Sequence, residues 1–330
     1  MTILVVEGCC KIRRKSGSIM VLSKDNEEQV EVSLPDLELV AIVGERVNIT
    51  SSALITLLSS GVPVVILSGR TEVYGVLFDV IQVGSVNVRE VQYRCLDNEF
   101  CRLKYARPII VSKLKGMYNI IRYEYKYYKE ALSEEAYQRV KESILSVIEE
   151  IERCSSLNEL RVLEGRGSKA SWEALVKFVH SKYWFTGRDP RKGDAINCAL
   201  NFTYAILYGL VTKALVTVGL DPFHGFIHTS RPGRISLTYD LSEVFKPLAI
   251  HTVLQASRKT DIKTWRGSRI LKPRSLETLI THLYNKLSRE SEKITKRKSL
   301  WQLPIHEVQK FKNSVLRELK YEPFIYDPTD

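Results

Sequence analysis

Apolar positions along the chain fall into two textures. From Met1 to about Val91 they come in short runs: ILVVE, SIMVLS, VEVSL, LELVAIV, VPVVIL and EVYGVLFDV. Each is four to nine residues long, dense in Val and Ile, and bounded by Gly, Ser, Asn or Pro. Runs of that length and composition predict strands. SSALITLLSSG, at 51–61, breaks the series and predicts a short helix. Ser51 or Ser52 can cap its start, and Gly61 stands where a helix end favours a left-handed residue.

Beyond Asn98 the apolar residues recur every three or four positions among many charges, the spacing of amphipathic helices. CRLKYARPIIVSKLKGMYNIIRYEYKYYKEAL and SEEAYQRVKESILSVIEEIER both show it, and 168–181, 194–216, 236–256, 275–295 and 303–320 continue it. The expected class is α+β. A small β-rich domain at 1–91 and a linker at 92–98 precede a larger all-α domain at 99–330, with YEPFIYDPTD as a poorly ordered tail.

Of the 330 residues 44% are apolar, enough to bury sizeable cores, and no internal repeat or low-complexity tract interrupts them. No apolar run reaches the roughly 18 residues of a membrane span, and no basic-then-apolar leader opens the chain. A cytoplasmic location and no membrane partner are expected.

Charge changes the picture. The formal net charge is +11, but residues 1–95 hold 9 basic and 11 acidic side chains, so the excess lies beyond them. Within 256–300 there are 13 basic residues against 4 acidic, including Arg258, Lys259, Lys263, Arg266, Arg269, Lys272 and Arg274. Clustered cations of this kind suit a polyanion such as DNA, whose phosphates release counterions when neutralised. A solvated charged face is the plainer alternative. The six cysteines form no CxxC pair and are expected as reduced, structural thiols.

Three segments combine ligating side chains with unusual surroundings. In LRVLEGRGSKASWEAL, Glu164 ends an apolar run before two glycines; a surface glutamate is the other reading. In GLDPFHGFIH, His224 and His228 lie four apart and share a face if the stretch is helical, although a satisfied core histidine is the commoner case. In ISLTYDLSEVFKP, Asp240 and Glu243 stand three apart on one expected helix face, beside Arg234 and Lys246. Glu164, His228 and Glu243, with Asp240 as a further candidate, make an oxygen-rich set with one imidazole. Mn²⁺ or Mg²⁺ suits such a set better than zinc.

These motifs, in this order, resemble the CRISPR-associated integrase family that inserts new spacers into a repeat array. SLPDLELVAIVGERVNITSSALITLLSSGVPVVIL and EVYGVLF look like its N-terminal β-domain, and Glu164, His228 and Glu243 match its metal-binding residues, with Asp240 at the neighbouring acidic position. In GRDPRKGDAINCALNFTYAILYGLV, Arg188, Arg191, Asn197 and Asn201 also match, which implies phosphate contacts for the two arginines. Lys192, Arg234, Lys246, Arg258 and Lys259 are further candidates for DNA contact.

The resemblance implies a metal-dependent endonuclease and integrase. The 3′-hydroxyl of a captured fragment attacks a repeat phosphodiester, so double-stranded DNA is a partner as both spacer fragment and CRISPR repeat. It implies a homodimer joined through the β-domains and a small ferredoxin-like adaptation subunit, together forming a heterohexamer. Where the family has an Asp-Arg pair, this chain has His251 and Thr252. The alternatives are a metal-dependent, structure-specific nuclease of DNA repair and a non-catalytic DNA-binding scaffold.

Overall fold

The computed structural model describes residues 2–23, 29–68, 73–79, 86–228, 232–265, 268–296 and 298–329. Strands fill the first part and helices the rest, as the two textures predict. Four strands, β1 (Thr2–Glu7), β5 (Leu37–Val43), β7 (Val64–Leu67) and β8 (Val73–Leu77), form one sheet in the order β1-β5-β7-β8. The first three are parallel, and β8 runs antiparallel along β7. A second sheet has the order β4-β3-β2-β6, from β2 (Cys10–Lys15), β3 (Ser18–Ser23), β4 (Gln29–Ser33) and β6 (Asn48–Ile49).

The unbroken run LELVAIV now has a cause. All seven residues of β5 are buried, which requires both faces of the strand to be covered. Leu39, Ala41, Val43, Val65 and Leu67 face the helical core. Val40, Ile42 and Val64 face a smaller core shared with Ile12, Ile19 and helix α1 (Ser51–Ser59). The first sheet is therefore a middle layer. Thr50 caps α1, one residue before the expected Ser51. β2 was not expected, because in CKIRRK only Ile12 is buried and the outward side chains are charged.

Helix α2 (Val86–Leu96) occupies most of the expected linker at 92–98, where Val88, Gln92 and Cys95 form a buried stripe. Asn98 then caps α3 (Glu99–Tyr127), accepting from Cys101 N. This close succession places Cys95 and Cys101 with Cα atoms 5.3 Å apart in a disulfide, which corrects the expectation of reduced thiols for that pair. Among the described residues Cys9, Cys10, Cys154 and Cys198 form no disulfide.

Then follow α4 (Glu134–Arg153), α5 (Leu157–Leu175), α6 (Ala195–Val218), α7 (Ser236–Ser242), α8 (Lys246–Lys259), α9 (Pro273–Thr295) and α10 (Gln302–Leu316). The helical stretch expected over 236–256, ended or kinked by Pro247, is two helices, and Pro247 takes the first turn of α8. α6 is apolar all round and mostly buried by its neighbours, as the central helix of a core must be. It packs on β7 at Gly209, where a Cβ would lie 2.5 Å from Val65 Cγ2. Among the described residues it is the one helix long and apolar enough to cross a membrane.

The C-terminal segment is not a loose tail. Tyr321 and Tyr326 are buried, Tyr321 OH donates to Glu307 (2.6 Å), and Asn119 Nδ2 donates to Tyr326 O (3.0 Å). Its tyrosines and Phe324 dock on α3 and α10, a role that a Pro- and Asp-containing end hides.

Candidate metal centre and its cleft

The site forms where α3, α5 and the α7–α8 junction meet, and two glycines set the distances. Gly167 on α5 lies so close to α3 that a Cβ would be 2.8 Å from Leu114 Cδ1. Gly116 on α3 approaches Pro247 at the start of α8, where a Cβ would be 2.7 Å from its Cγ. The segment EGRGS is therefore helical throughout, contrary to the expected break after Glu164. Its glycine serves close helix packing rather than a turn.

These approaches bring Glu164 and Glu243 to one point. Lys113 Nζ lies 2.5 Å from Glu164 Oε1 and 2.9 Å from Glu243 Oε2, and Lys246 Nζ lies 2.6 Å from Glu243 Oε1. Ser168 Oγ also donates to Glu164 Oε1 (2.8 Å). Burial alone would raise both carboxyls, but Lys113 holds Glu164 and Glu243 below the usual carboxylate range, with Lys246 adding to the effect on Glu243. Burial likewise works against the Lys113 ammonium, yet Glu243 and Glu164 together keep it well above its ordinary value. Glu243 Oε2 is buried, and its contact among the described residues is the ion pair with Lys113.

His228 reaches the same cleft from a different direction. Asp221, Pro222 and Gly225 make 219–228 a chain of turns, so His224 and His228 share no helix face. His224 instead bonds Asp221 (3.1 Å) and stays exposed. Asp240 is fully buried and wholly engaged by this turn. Its oxygens accept from Ile227 N (2.9 Å) and His228 N (3.0 Å), and Oδ1 meets His228 Nδ1 at 2.5 Å. Gly225 is required here, because a Cβ would come within 2.6 Å of Asp240 Oδ2. Asp240 and Glu243 thus turn to different partners, although the sequence places them on one face.

Among the described residues no three His, Cys, Asp or Glu side chains form a ready metal cluster. Of the expected trio, the two glutamates share one ammonium, and the imidazole lines a cavity with that lysine. His228 and Lys113 both line a cavity of about 490 Å³, together with Arg188, Arg234 and Lys246. Tyr204, Tyr208 and Tyr239 complete its wall, with Arg188 over the ring of Tyr204 and Arg234 over that of Tyr239.

The other expected DNA contacts divide. Arg188 is braced by Asn197 Oδ1 (3.1 Å), and Asn201 holds Pro190 O (3.0 Å). Arg191 is exposed, and Lys192 donates to Thr186. Arg258 is committed to a buried acid, with Nη2 at 2.5 Å from Glu124 Oε2. Arg266 lies outside the described residues. Lys113 and the three tyrosines were not singled out from the sequence. A lysine in the charged pattern of α3 looks solvated, and tyrosines in an apolar helix look like core. The spacing of Tyr204 and Tyr208, one turn apart beside the matching Asn201, was the available signal.

A cleft walled by cations and tyrosine rings, and reached by a lysine that holds two acids behind it, suits a protein that handles polyanionic strands. The comparisons agree. The family model for CRISPR associated protein Cas1 matches residues 3–285, so the chain belongs to that family. The CRISPR-associated endonuclease Cas1 of Hyperthermus butylicus is 32% identical over 272 residues, covering 81% of this chain and 80% of that protein. Among solved structures, a casposase bound to integration product shares the fold, with a TM-score of 0.84 at 22% identity, covering 99% of this chain and 95% of that one. A Cas6-RT-Cas1–Cas2 complex also matches, with a TM-score of 0.78 at 19% identity, over 99% of this chain and 36% of that longer one.

Proposed function

We infer that this Cas1-family chain is a metal-dependent DNA endonuclease and integrase. It joins the 3′-hydroxyl of a captured DNA fragment to a phosphodiester at the edge of a CRISPR repeat, in the cytoplasm where that DNA lies. The observation that carries this reading is the meeting of Glu164 and Glu243, from distant parts of the chain, on a single cationic position. An ammonium already accepted there, and a buried Glu243 oxygen short of a directed donor, fit a hard divalent ion, Mn²⁺ or Mg²⁺. Glu164, Glu243 and the imidazole of His228 would hold it. When bound, such an ion supplies Lewis-acid stabilisation to the charge that develops on a reacting phosphoryl group.

The remaining steps belong to the chain's own residues. Arg188, Arg234 and Lys246 line the cavity and set the register of the phosphates. Asp240 is a positioning residue: by taking His228 Nδ1 it fixes the tautomer and turns Nε2 toward the cleft. No protein nucleophile is needed, because the DNA end brings its own hydroxyl, and the same site with water would cut rather than join. The strand-rich part at 1–91 is the proposed homodimer contact. Two such dimers would clamp the small ferredoxin-like subunit in a heterohexamer, with 99–330 presented to the DNA.

The test is strand joining on a supercoiled, repeat-bearing plasmid with Mn²⁺ or Mg²⁺ supplied and the partner subunit present. Joined product is expected from the unaltered protein. Glu164→Ala or His228→Ala should lower its rate by at least about a hundredfold while duplex binding persists, the scale of several kcal/mol of lost charge stabilisation. Cutting without joining would mark a repair nuclease, and binding without either a scaffold.

Asp240→Asn tests the positioning role separately. The amide must turn its NH₂ toward Ile227 N–H or toward His228, so a donor faces a donor wherever it points. A metal titration should show affinity weakened by about 10- to 100-fold, with DNA binding retained.

A further inference from the structure

α2 and the first turn of α3 are joined twice, through Asp97 and Asn98 and through the Cys95–Cys101 disulfide. The two cysteines stand only six residues apart in sequence, and so short a loop takes little freedom from the unfolded chain. The bond therefore acts locally. What it fixes is a pair of side chains. Gln92, one helical turn before Cys95, is fully buried. Its Nε2 donates to Asp221 O (3.0 Å) and His224 O (3.2 Å), and its Oε1 accepts from Asp221 N (2.8 Å). Tyr93 beside it donates to Asp221 Oδ2 (2.8 Å). Arg102, next to Cys101, donates from Nε to Phe226 O (3.3 Å).

These bonds grip 221–226 from two helices, and the same turn ends in His228. A second grip comes from elsewhere: Arg161 of α5 donates to Ile227 O (2.7 Å), and Asp240 of α7 accepts from Ile227 N and His228 N. That one is independent of the disulfide. The first is not, because the buried stripe of α2 is Val88, Gln92 and Cys95, with one aliphatic side chain among them. Apolar packing alone holds such a helix weakly. Cys95 is buried whereas Cys101 is half-buried, which leaves Cys101 as the sulfur open to an incoming thiolate.

We propose that Cys95–Cys101 is a reversible thiol–disulfide site that sets how firmly α2 holds the turn ending in His228. Gln92 and Arg102 are the positioning residues through which it acts. A dithiol reductant supplies the two electrons. One of its thiolates attacks Cys101 Sγ, the Cys95–Cys101 bond breaks, and Cys95 leaves as a thiolate that takes up a proton. The second thiol of the reductant then displaces Cys101, leaving a disulfide in the reductant and two thiols in the chain. In the reduced form α2 opens more often and 219–228 loses one of its two grips. The consequence for metal rests on the reading of His228 given above, whereas the opening of α2 does not.

The experiment is amide hydrogen exchange on the metal-free full chain, as oxidised and after treatment with dithiothreitol followed by its removal, with a Mn²⁺ titration of both forms. Reduction is expected to speed exchange at 86–96 and 219–228 by about tenfold or more, to leave β5 and α6 unchanged, and to reverse on reoxidation. Mn²⁺ affinity should fall about tenfold. Cys95→Ser with Cys101→Ser should match the reduced form and ignore the dithiol, which removes the other cysteines from the comparison. Gln92→Met should speed exchange at 219–228 in the oxidised form already. Two free thiols at 95 and 101 in the air-oxidised chain, exchange unaltered by reduction, or exchange raised equally everywhere would overturn the proposal. So would Mn²⁺ held equally well by both forms. Faster exchange with no Mn²⁺ bound by either form would sink the metal reading and leave the switch standing.

Discussion

Glu243→Ala should cost the protein both its strand-joining activity and about 3–5 kcal/mol of stability, a combination no other single change in the cleft is expected to match. Lys113 and Lys246 both face this carboxylate, and Lys113 is buried. Removing the acid leaves an ammonium inside the fold with Glu164 as its remaining counter-charge. Urea titration, with the midpoint and slope compared, measures the stability term. The joining assay measures the other. A second variant separates them: Glu243→Gln keeps an acceptor oxygen before Lys113 and Lys246 and should recover part of the stability, since both ammoniums then remain hydrogen-bonded. Joining should not return. Recovery of joining in Glu243→Gln would show that the charge of Glu243 is not needed for the chemistry.

Phe226→Ala should be nearly as damaging to the fold, at about 3–5 kcal/mol. The ring is fully buried and meets Phe311 at 5.2 Å and Tyr105 at 6.0 Å, each edge to face. Tyr321 of the C-terminal segment packs on the same Phe311 at 5.0 Å. One truncation therefore loosens α3, α10 and the chain end together. It also frees the turn that ends in His228, two residues on, whose backbone is held by Asp240. Metal affinity should fall with stability, and Phe226→Leu should restore much of both. A variant with normal urea resistance would mean that the aromatic cluster is not what anchors this turn.

Much of the architecture was legible in the sequence because burial on both faces leaves unbroken apolar runs, as in β5, and burial on one face leaves helical spacing, as in α4 and α9. What stayed hidden was hidden for physical reasons. β2 buries one residue in six, so no pattern marks it. The helix at 86–96 carries Gln92 on its buried stripe, where the amide serves Asp221 and His224 backbone atoms, and the stripe looks polar. The glycines of EGRGS read as a break because local propensity cannot foresee a helix pressing against α3.

Of the side chains that meet at the candidate site, the two acids were singled out in the sequence and the lysine between them was not. Lys113 acquires meaning only when α5 and α8 fold against it. The reverse holds for Arg258, which looks like a DNA contact in a basic run and proves to be the partner of buried Glu124. Asp240 likewise stands three residues from Glu243 in the sequence, and only the fold shows that its oxygens accept from the backbone of 227–228.

Gly116 against Pro247 and Gly167 against Leu114 work as rulers. Neither contact carries charge, yet each lies within about one helical turn of a residue whose charge matters, Lys113, Glu243 or Glu164, and each tolerates almost no added bulk. The separation of the two acids is thus gauged by hard-sphere contact a turn away, not by the flexible side chains that display it. In related chains, bulk gained on one side of either contact should be matched by bulk lost on the other.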